Sequence, residues 1–416
     1  MSTTKPNIPK GMRDFTSEVM FRRNYIFETV KSAFKRYGYT PIQTPAIENI
    51  GTLTGKYGDE CDRLIFKVLN SGDYLSKAIL DDNTTSKSLT KQISEKALRY
   101  DLTVPFARFA VQNRNDITFP FKRYQMQNVW RADRPQRGRY REFYQCDADV
   151  IGTDSLLCEV ELVQLYDDVF SQLKIPNVDI CINNRKLLSG MVELMDATNL
   201  FSDVVIALDK LSNIGLKKVK EEMQNKGVKS DSLSILDTFL NTKNVADLSS
   251  LLAQSEVGKK GLEELQFVID NITKLGLQSV NLVFDITLAR GLDYYTGCIL
   301  EVKANDVQIG ASGGGGRYDD LTSNFGLKDI SGVGISFGID RIYLIMEEFD
   351  LFPMNIDVST QVMFANFGDT EAAYCLPLLK ELRAAGISSE LYPKAAKMKK
   401  QMTYANNKGV QFVIMV

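Results

Sequence analysis

Apolar and polar residues alternate in two neighbouring stretches of the chain, residues 121–130 and 140–151. A period of two is typical of a strand that has one covered face. The residues between them, 131–139, are polar and include Pro135 and Gly138, which indicates a turn. The pattern therefore predicts a long antiparallel hairpin.

A helical spacing of apolar residues predicts helices at residues 17–37 and 155–173, and a block of helices with polar connections at residues 183–278. Residues 39–48 contain two prolines and indicate extended chain. Residues 70–97 are rich in Ser, Thr, Asp and Lys in their middle, so we expect an exposed excursion there.

Strand patterns return after the helical block, at residues 281–287, 298–303 and 332–338, and the last of them leads into a predicted helix at residues 339–348. Four consecutive glycines, residues 313–316, lie among these strands. A phosphate-binding loop would need a following Lys-Ser or Lys-Thr pair and a strand-to-helix context, which this run lacks. We therefore expect a tight turn that lets another backbone segment approach closely.

From residue 353 onwards strands and helices alternate, which predicts a small α/β domain with parallel pairing. The predicted strands are residues 361–367, 387–391 and 410–416, and the predicted helices are residues 369–385 and 394–406. Pro377 lies inside the first helix, and we expect it to kink or delay that helix. The sequence stops on the last predicted strand, so this domain is expected to be incomplete.

The composition limits the classes of protein to which the sequence can belong. With 416 residues, the chain exceeds what one hydrophobic core usually serves, so two or three domains are expected. Its net charge of −2 predicts that any nucleic-acid surface is a local basic patch. The N-terminus does not resemble a signal peptide, and no apolar run is long enough to span a bilayer. We therefore expect a cytosolic protein with no membrane partner.

Neither cysteine nor histidine supports a metal site. The six cysteines are scattered without a CxxC pair, which favours reduced and packed thiols. The chain contains no histidine, so no step can use imidazole as a base, a proton shuttle or a metal ligand. The chemistry must then use carboxylates, arginines, tyrosines or a metal that arrives with the substrate. Selection, deliberate removal and drift in composition are three explanations for the missing histidines.

The side chains of a strand alternate between its two faces, so parity sorts the hairpin residues into two sets. One set consists of Gln125, Gln127, Val129, Arg131, Arg139, Arg141, Phe143, Gln145, Asp147 and Asp149. Its arginines lie near the turn, an aromatic residue follows and the carboxylates lie deepest. This order suits a ligand that has phosphates at one end and an ammonium group at the other. The alternative is a surface hairpin with arginine–aspartate pairs and a solvated basic turn.

Seven segments resemble motifs of class II aminoacyl-tRNA synthetases in the form found in the histidyl-tRNA synthetase family. VWRADRPQRGRYREFYQCDADVIG resembles motif 2, GVGISFGIDRI resembles motif 3, and YGYTPIQTPAIEN resembles the dimer-forming motif 1. LARGLDYYTG and GGRYDDL are similar to stretches peculiar to the histidine-specific branch, and PKGMRDF and RYDLTVPFARF also match. All seven occur in the order typical of the family and together cover the chain from end to end.

The resemblance implies an α+β fold, in which the antiparallel sheet of a class II synthetase is flanked by helices and accompanied by a helical insertion and a C-terminal α/β anticodon-binding-like domain. The implied domains are a catalytic domain in two parts (residues 1–175 and 281–352), a helical insertion (176–280) and the anticodon-binding-like domain (353–416). It also implies a homodimer, ATP with Mg²⁺ as cofactor, and L-histidine and tRNA-His as substrates.

The resemblance also implies a role for each matching residue. The implied catalytic residues are Arg131, Arg290 and Arg341. The implied ATP-binding residues are Arg131, Arg139, Phe143 and Arg341, of which Phe143 and Arg341 would sandwich the adenine. The implied histidine-binding residues are Asp101, Gln145, Asp149, Tyr294, Tyr295 and Tyr318. The residues implied to reach the acceptor end of the tRNA are Arg134 and Gln136.

Several of these residues have purely structural alternatives. Asp101 could cap a turn, Tyr294 could be a packing aromatic, and Arg290 or Arg341 could be paired in the core. The chain also departs from other family members by carrying aspartate rather than glutamate at positions 101 and 149. The shorter side chain keeps the charge but reduces its reach by one methylene group.

The implied activity is activation of L-histidine with ATP to histidyl-adenylate and its transfer to tRNA-His. No editing domain is expected, and the helical block is expected to contact tRNA. The alternatives are a non-catalytic paralogue, such as a regulatory subunit or sensor, and a pure RNA-binding module. The presence of Arg131, Arg290 and Arg341 disfavours both alternatives.

Overall fold

An eight-stranded sheet organises the larger of two compact units, which comprises Ile26–Leu351 and the N-terminal residues up to Asp14. The computed structural model describes residues 5–56, 62–76, 78–242, 245–289, 294–354, 356 and 360–416. The strands of the larger unit are, in chain order, β1 (Thr40–Pro41), β2 (Ile47–Asn49), β3 (Lys67–Val68), β4 (Lys96–Leu98), β5 (Phe121–Trp130), β6 (Glu142–Ile151), β7 (Val178–Asn184), β8 (Val280–Phe284), β9 (Cys298–Ala304), β10 (Gly313–Tyr318) and β11 (Gly332–Gly338).

The strand order across the large sheet is β1-β5-β6-β11-β10-β9-β7-β8. Strand β1 pairs with β5 in parallel, as β7 does with β8, and the pairings between these two edges are antiparallel. The remaining strands form a small antiparallel sheet in the order β2-β4-β3. The expected antiparallel sheet is therefore confirmed, with one parallel strand added at each edge.

Helices supply the α part of the α+β class. In chain order they are α1 (Ser17–Arg36), α2 (Ile50–Leu53), α3 (Ser86–Ile93), α4 (Thr103–Gln112), α5 (Leu157–Gln172), α6 (Arg185–Leu194), α7 (Phe201–Asp209), α8 (Leu211–Ile214), α9 (Leu216–Asn225), α10 (Leu233–Asn241), α11 (Leu248–Leu251), α12 (Glu256–Leu275), α13 (Ile339–Glu348), α14 (Asp369–Ala384) and α15 (Met398–Asn407). Short 3-10 segments occupy Thr198–Leu200, Val245–Asp247 and Leu321–Phe325. In the described part of the chain, no helix combines the length and the apolar character needed to cross a membrane.

The predicted hairpin is confirmed as β5 and β6, and so is the parity of its polar face. Gln125 lies opposite Asp147, and Gln127 lies opposite Gln145. The alternation of the sequence is enough to place these residues on one face because each strand is regular over ten residues.

A cluster of aromatic rings holds helices against this sheet. Phe337 of β11 has its ring centroid 4.8 Å from that of Tyr166 in α5 and 5.8 Å from that of Phe34 in α1. All three side chains are fully buried. Burying one such ring stabilises the fold by roughly 1.5–3 kcal/mol, so this cluster contributes substantially to the position of β11.

The run of four glycines forms a strand, which corrects the prediction of a turn. Residues 313–316 begin β10 and pair with β9 on one side and β11 on the other. A Cβ atom at Gly315 would lie 2.0 Å from the carbonyl oxygen of Gly334, and one at Gly316 would lie 2.5 Å from the carbonyl oxygen of Cys298. The expected close approach of another backbone segment is therefore confirmed, but it occurs within a sheet.

The predicted block of helices is found as α6 to α12, between β7 and β8. Strand β7 lies inside the range 176–280 that was expected to be the insertion, yet it pairs with β9 of the large sheet. The helices themselves begin at Arg185. Within the block, α6 and α12 pack closely, because a Cβ atom at Gly190 would lie only 2.7 Å from the Cα atom of Gly258.

Residues 70–97, the expected excursion, are largely exposed but include two regular elements. Helix α3 begins with a capping box in which Thr85 and Ser88 exchange hydrogen bonds. Strand β4 pairs with β2 and β3. The polar composition alone did not reveal these elements, because α3 has no buried residue that would have produced an apolar stripe.

The smaller unit comprises Phe15–Tyr25 and Phe352–Val416. Its strands β12 (Val362–Phe364), β13 (Ser389–Leu391) and β14 (Phe412–Ile414) form a parallel sheet in the order β13-β12-β14. Helices α14 and α15 alternate with them, which confirms the predicted α/β pattern. Helix α14 begins at Asp369 and includes Pro377, so the proline does not delay it.

We expect Gly315→Ala to lower the free energy of unfolding by roughly 1–3 kcal/mol, because the added methyl group would collide with the backbone of a paired strand. Gly51→Ala is the control, since no heavy atom lies within 4 Å of its Cβ position. That variant should be neutral or more stable by up to about 1 kcal/mol. Urea unfolding of both variants measures the difference, and equal stabilities would contradict the crowding described for β10.

Candidate active site

Two adjoining cavities lie against the polar face of the β5–β6 hairpin. The larger has a volume of about 400 Å³ and the smaller about 70 Å³. The residues that line both cavities are Arg131, Gln145, Gly314 and Ser336. A single extended ligand, or two ligands that react with each other, can therefore meet at these four residues.

Arg131 follows β5 directly and lies where the two cavities meet. Its Nε donates a hydrogen bond to the carbonyl oxygen of Tyr100 at 3.1 Å, and its guanidinium carbon lies 5.2 Å from the ring centroid of Phe143. Burial lowers the pKa of Arg131, but nearby acidic groups, chiefly Tyr100 and Asp101, outweigh it and raise the pKa overall. The side chain is therefore a permanent cation in a position to neutralise phosphate charge.

Arg341 lies in the first turn of α13 and lines the larger cavity. Its Nε donates to the carbonyl oxygen of Gly138 at 2.9 Å, and its Nη1 donates to the carbonyl oxygen of Ala311. Gly138 has a φ of +71°, a conformation that favours glycine, so the hairpin turn can present this carbonyl group. The carbonyl groups of Gly138 and Ala311 therefore fix the plane of the Arg341 guanidinium group beside the larger cavity.

An acidic residue beside Arg341 connects the cavity wall to the N-terminal segment. Asp340 accepts a hydrogen bond from Nη2 of Arg13 at 2.5 Å and another from the backbone N–H of Tyr144 at 3.4 Å. The guanidinium carbon of Arg13 also lies 3.2 Å from the ring centroid of Tyr140. These contacts give the segment PKGMRDF a structural role at the larger cavity.

The smaller cavity is lined by carboxylates and tyrosines. The hydroxyl group of Tyr318 donates to Oδ1 of Asp149 at 2.7 Å, and that of Tyr294 donates to Oδ2 of Asp101 at 3.2 Å. Oδ1 of Asp101 also accepts the backbone N–H of Val104 at 3.1 Å, in the first turn of α4. Asp101 therefore caps the start of α4, as in the structural alternative given for it above, and it also lines the smaller cavity.

Asp147 adds a third buried carboxylate to this cavity, although the sequence assigned it only to the polar face. Its pKa is raised from the ordinary value of 3.8 to about 7; burial is the largest cause, Arg123 opposes the rise and the neighbouring Asp149 adds to it. Its Oδ1 and the Oε1 of Gln145 have no hydrogen-bond partner among the described residues. Two buried acceptors are therefore available to a ligand that donates N–H groups.

Glycines make room for the two residues that form the Tyr318–Asp149 contact. A Cβ atom at Gly334 would lie 2.1 Å from Oδ1 of Asp149, and one at Gly332 would lie 2.4 Å from the ring of Tyr318. Both glycines of the segment GVG, Gly332 and Gly334, are therefore required because a side chain at either position would collide with Tyr318 or Asp149. The sequence pattern alone does not mark these glycines as site residues.

The remaining residues expected in the site are placed as follows. Arg139 lines the larger cavity but is half exposed, 3.5 Å from Asp133. Tyr295 lines the smaller cavity and also packs with Cys181, Leu288 and Ile299. Arg290 lies outside the described residues.

Arg134 and Gln136 are exposed in the hairpin turn and line neither cavity. The backbone of Gln136 exchanges hydrogen bonds with that of Arg139 at 3.0 and 2.9 Å, which closes the turn. The turn therefore presents both side chains away from the cavities.

Sequence reasoning missed several residues that line the larger cavity: Tyr100, Asp133, Tyr140, Tyr144, Ser312, Ser336 and Asp340. Five of them, Tyr100, Asp133, Tyr140, Tyr144 and Asp340, directly adjoin a residue that the sequence assigned to the site, and Ser336 lies inside the segment that resembles motif 3. Sequence proximity was thus the available signal, but it does not tell which neighbour faces the cavity.

Comparison with known families assigns nearly the whole chain. The family described as histidyl-tRNA synthetase matches residues 11–342, and the family described as anticodon binding domain matches residues 361–416. The first match alone covers more than half of the chain.

Individual relatives agree with these assignments. The histidine–tRNA ligase of Christiangramia forsetii is 55% identical over 99% of this chain and 92% of its own length, and that of Phocaeicola vulgatus is 53% identical with the same coverage. Among solved structures, histidyl-tRNA synthetase from Nostoc sp. PCC 7120 superposes with a TM-score of 0.81 at 27% identity, covering 100% of this chain and 92% of that one.

We expect Asp147→Asn to change how the stability of the ligand-free protein depends on pH. The pKa of Asp147 is raised from 3.8 to about 7 on folding, so its contribution to stability is fully present below pH 4 and is lost as the pH rises towards 7. The variant has no ionisable group at position 147, so its stability does not fall in this way as the pH rises. Its free energy of unfolding should therefore gain roughly 2–4 kcal/mol relative to the parent protein between pH 4 and pH 8.

Urea unfolding at pH 4, 6 and 8 measures this change. Asp154→Asn, which removes an exposed carboxylate, is the control and should leave the pH dependence as it is. If the free energies of unfolding of Asp147→Asn and of the parent protein change equally with pH, then burial does not disfavour the charged form of Asp147.

Proposed function

Since the chain belongs to the histidyl-tRNA synthetase family, we propose that its two joined cavities are the site where ATP and L-histidine react. The chain is a class II aminoacyl-tRNA synthetase, a histidine–tRNA ligase, which activates histidine with ATP and charges tRNA. The observation that carries the assignment of the site is the distribution of charge: Arg131, Arg139 and Arg341 line the larger cavity, and three buried carboxylates line the smaller one.

The larger cavity is the proposed ATP site. Arg131 and Arg139 would bind the phosphates of ATP. The adenine ring would stack between Phe143 and Arg341. All four side chains line this cavity, and its volume of about 400 Å³ lies in the range typical of small-molecule sites. The backbone carbonyls that orient Arg341 support a stacking role, since they fix the plane of its guanidinium group.

The smaller cavity is the proposed histidine site. Asp101 and Gln145 would hold the α-ammonium group, while Asp149 and Tyr295 would hydrogen-bond the imidazole and Tyr294 and Tyr318 would line the pocket. Asp147 joins them as a further acceptor. A pocket that pairs polar groups in this way rejects an analogue that lacks the matching N–H groups by roughly 10⁴-fold or more, because its buried acceptors would be left unpaired. This supports the expectation that the enzyme needs no editing domain.

The proposed first step is in-line attack of the histidine carboxylate on the α-phosphorus of ATP, with pyrophosphate as the leaving group. A carboxylate is already deprotonated at neutral pH, so this step needs no general base. It needs alignment and positive charge where the phosphorus develops negative charge, which Arg131 would supply at the junction of the cavities. We propose the same role for Arg290. A chain without histidine can therefore carry out the step.

Mg²⁺ enters this proposal together with ATP as part of the substrate. Among the described residues, no group of three or more carboxylate or thiol side chains is arranged so that it could hold a metal ion. Mg²⁺ commonly takes substrate phosphates and one or two carboxylates as ligands. Asp133 and Asp340 are the carboxylates that line the larger cavity.

Charging requires contacts with tRNA outside the cavities. We propose that Arg134 and Gln136, exposed at the tip of the hairpin turn, reach the acceptor end, and that the helices between β7 and β8 also touch the tRNA. The match of residues 361–416 to the anticodon binding domain supports a further contact there. We propose the domains 1–175, 176–280, 281–352 and 353–416, with the difference that β7, at the start of the second range, belongs to the large sheet. We propose the cytoplasm as the compartment.

We further propose a homodimer formed through the segment that resembles motif 1. Pro45, Ile47 and Glu48 of this segment line a third cavity of about 480 Å³, and Ile47 is 45% exposed. Light scattering should give twice the 46.8 kDa chain mass. A monomer at micromolar concentration would contradict the dimer.

The test of the function is ATP–pyrophosphate exchange with the purified chain and each of the twenty amino acids. We expect exchange with histidine and background rates with the other nineteen, since the polar acceptors of the smaller cavity match imidazole. A folded chain that binds ATP but exchanges with no amino acid would support the non-catalytic paralogue.

We expect Arg131→Ala to lower kcat for histidine-dependent exchange by about 10²- to 10³-fold, the loss typical for one oriented charge at a transition state. Arg114→Ala, which removes an exposed arginine outside both cavities, is the control and should remain within about twofold of the parent rate. Equal kcat values for the two variants would show that Arg131 does not take part in the reaction.

A further inference from the structure

Arg123 is a buried cation behind the proposed histidine site. It lies in β5 directly opposite Asp149 of β6, on the polar face of the hairpin. Its side chain is fully buried, and its guanidinium carbon lies 4.3 Å from the ring centroid of Phe106. It lines neither cavity, so any effect on a ligand must pass through another residue.

Asp149 provides that connection. Nη2 of Arg123 lies 2.8 Å from Oδ2 of Asp149, and both side chains are almost completely buried. This oxygen nevertheless has no directed hydrogen bond from a described residue, so the contact is an ion pair by distance only. Oδ2 accepts no directed hydrogen bond from the residues described and Oδ1 accepts one, from the hydroxyl group of Tyr318, so the carboxylate has unused capacity to accept an N–H group from a ligand.

The hydrogen bonds of Arg123 do not explain its burial. Its Nη2 donates one long bond, 3.4 Å, to the carbonyl oxygen of Leu102. Its Nε and Nη1 are buried without a hydrogen-bond partner in the described structure. A buried arginine with so few hydrogen bonds is unfavourable by itself. Its compensating interaction must therefore be electrostatic.

The groups that face Asp149 show which interaction this is. Asp147 lies two residues away on the same face, Asp101 and Tyr318 line the same cavity, and Arg123 lies behind it. The pKa of Asp149 is raised overall; burial is the largest cause, and Asp101 adds to the rise. The largest influence that lowers the pKa of both Asp149 and Asp147 is Arg123.

We propose that Arg123 is a positioning residue for histidine specificity, whose buried charge favours the ionised form of Asp149 and orients it as an acceptor for an N–H group of the imidazole ring. The proposal rests on the proposed function of the smaller cavity. Arg123 touches no substrate; it determines whether the residue that does so accepts or donates a hydrogen bond. A protonated Asp149 would present a donor in place of one acceptor and would lose its attraction for cationic ligands.

The removal of this charge has a pH signature. Without Arg123 the pKa of Asp149 rises further, so the acid form persists to higher pH. The KM for histidine should then increase most at low pH and recover as the pH rises. The titration of histidine itself is the same for every variant, so it cancels when each variant is compared with the parent protein at the same pH.

The experiment is histidine-dependent ATP–pyrophosphate exchange between pH 6 and pH 8.5 for the full chain and two variants, Arg123→Met and Arg123→Lys. For Arg123→Met we expect the KM for histidine at pH 7 to rise roughly 10- to 100-fold, the loss expected for one charged hydrogen bond. The KM for ATP should change less than about threefold, and the increase for histidine should shrink towards pH 8.5. Arg123→Lys, which keeps the charge, should recover most of the affinity.

Lys122→Met is the matched control. Lys122 is the preceding residue of β5, on the opposite face, and its Nζ lies 2.6 Å from Glu161. This variant also removes an ion pair from the strand, but it should leave the KM for histidine and its pH dependence unchanged. Comparable changes in both variants would mean that strand stability, and not the charge behind Asp149, determines the KM.

The outcomes separate this proposal from the function on which it rests. If the parent protein shows no histidine-dependent exchange, the proposed function fails first. If the parent is active and Arg123→Met binds histidine normally, the role of Arg123 is overturned. If Arg123→Met does not fold, Arg123→Lys provides the test. A KM for histidine that is raised tenfold or more at every pH would contradict a role based on charge. A small rise in this KM, confined to low pH, would support that role.

Discussion

The site depends on how closely β10 and β11 approach each other and β6. At Gly315 and Gly334 the volume of a Cβ atom is already occupied, by a carbonyl group in the first case and by the carboxylate of Asp149 in the second. Because Gly334 has no side chain, the carboxylate of Asp149 on β6 can extend sideways across the sheet surface. The smaller cavity and its hydrogen bonds follow from that steric constraint, and the aromatic cluster around Phe337 holds β11 in position.

The electrostatics of the site follow from this packing. Three carboxylates are enclosed in a small volume where water cannot stabilise their charge. Two cations offset them: Arg123 in β5 lies behind the cavity, and Arg131, directly after β5, lies at its mouth. Buried charges require such partners because desolvation is otherwise too unfavourable. The result is a polar gradient along β6, from the arginines near the hairpin turn to the buried carboxylates.

Much of this arrangement could be predicted from the sequence, and the rest could not, for identifiable reasons. The period-two alternation placed Gln145, Asp147 and Asp149 on one face, because strand geometry alone decides that. The glycines of β10 were expected in a turn, because a glycine run signals freedom of the backbone, whereas here it reflects the absence of space between strands. Arg123 shares the parity of the polar face, but its burial depends on Phe106, which is distant in sequence.

The position of the helical block has a topological consequence. Strands β7 and β8 are neighbours that run in the same direction, and the block from Arg185 to Leu275 is the connection between them. Two parallel neighbours cannot be joined by a hairpin loop, since the chain must travel back along the sheet before it enters the second strand. Evolution can therefore lengthen, shorten or replace these helices, but it cannot delete them without also giving up the edge of the sheet.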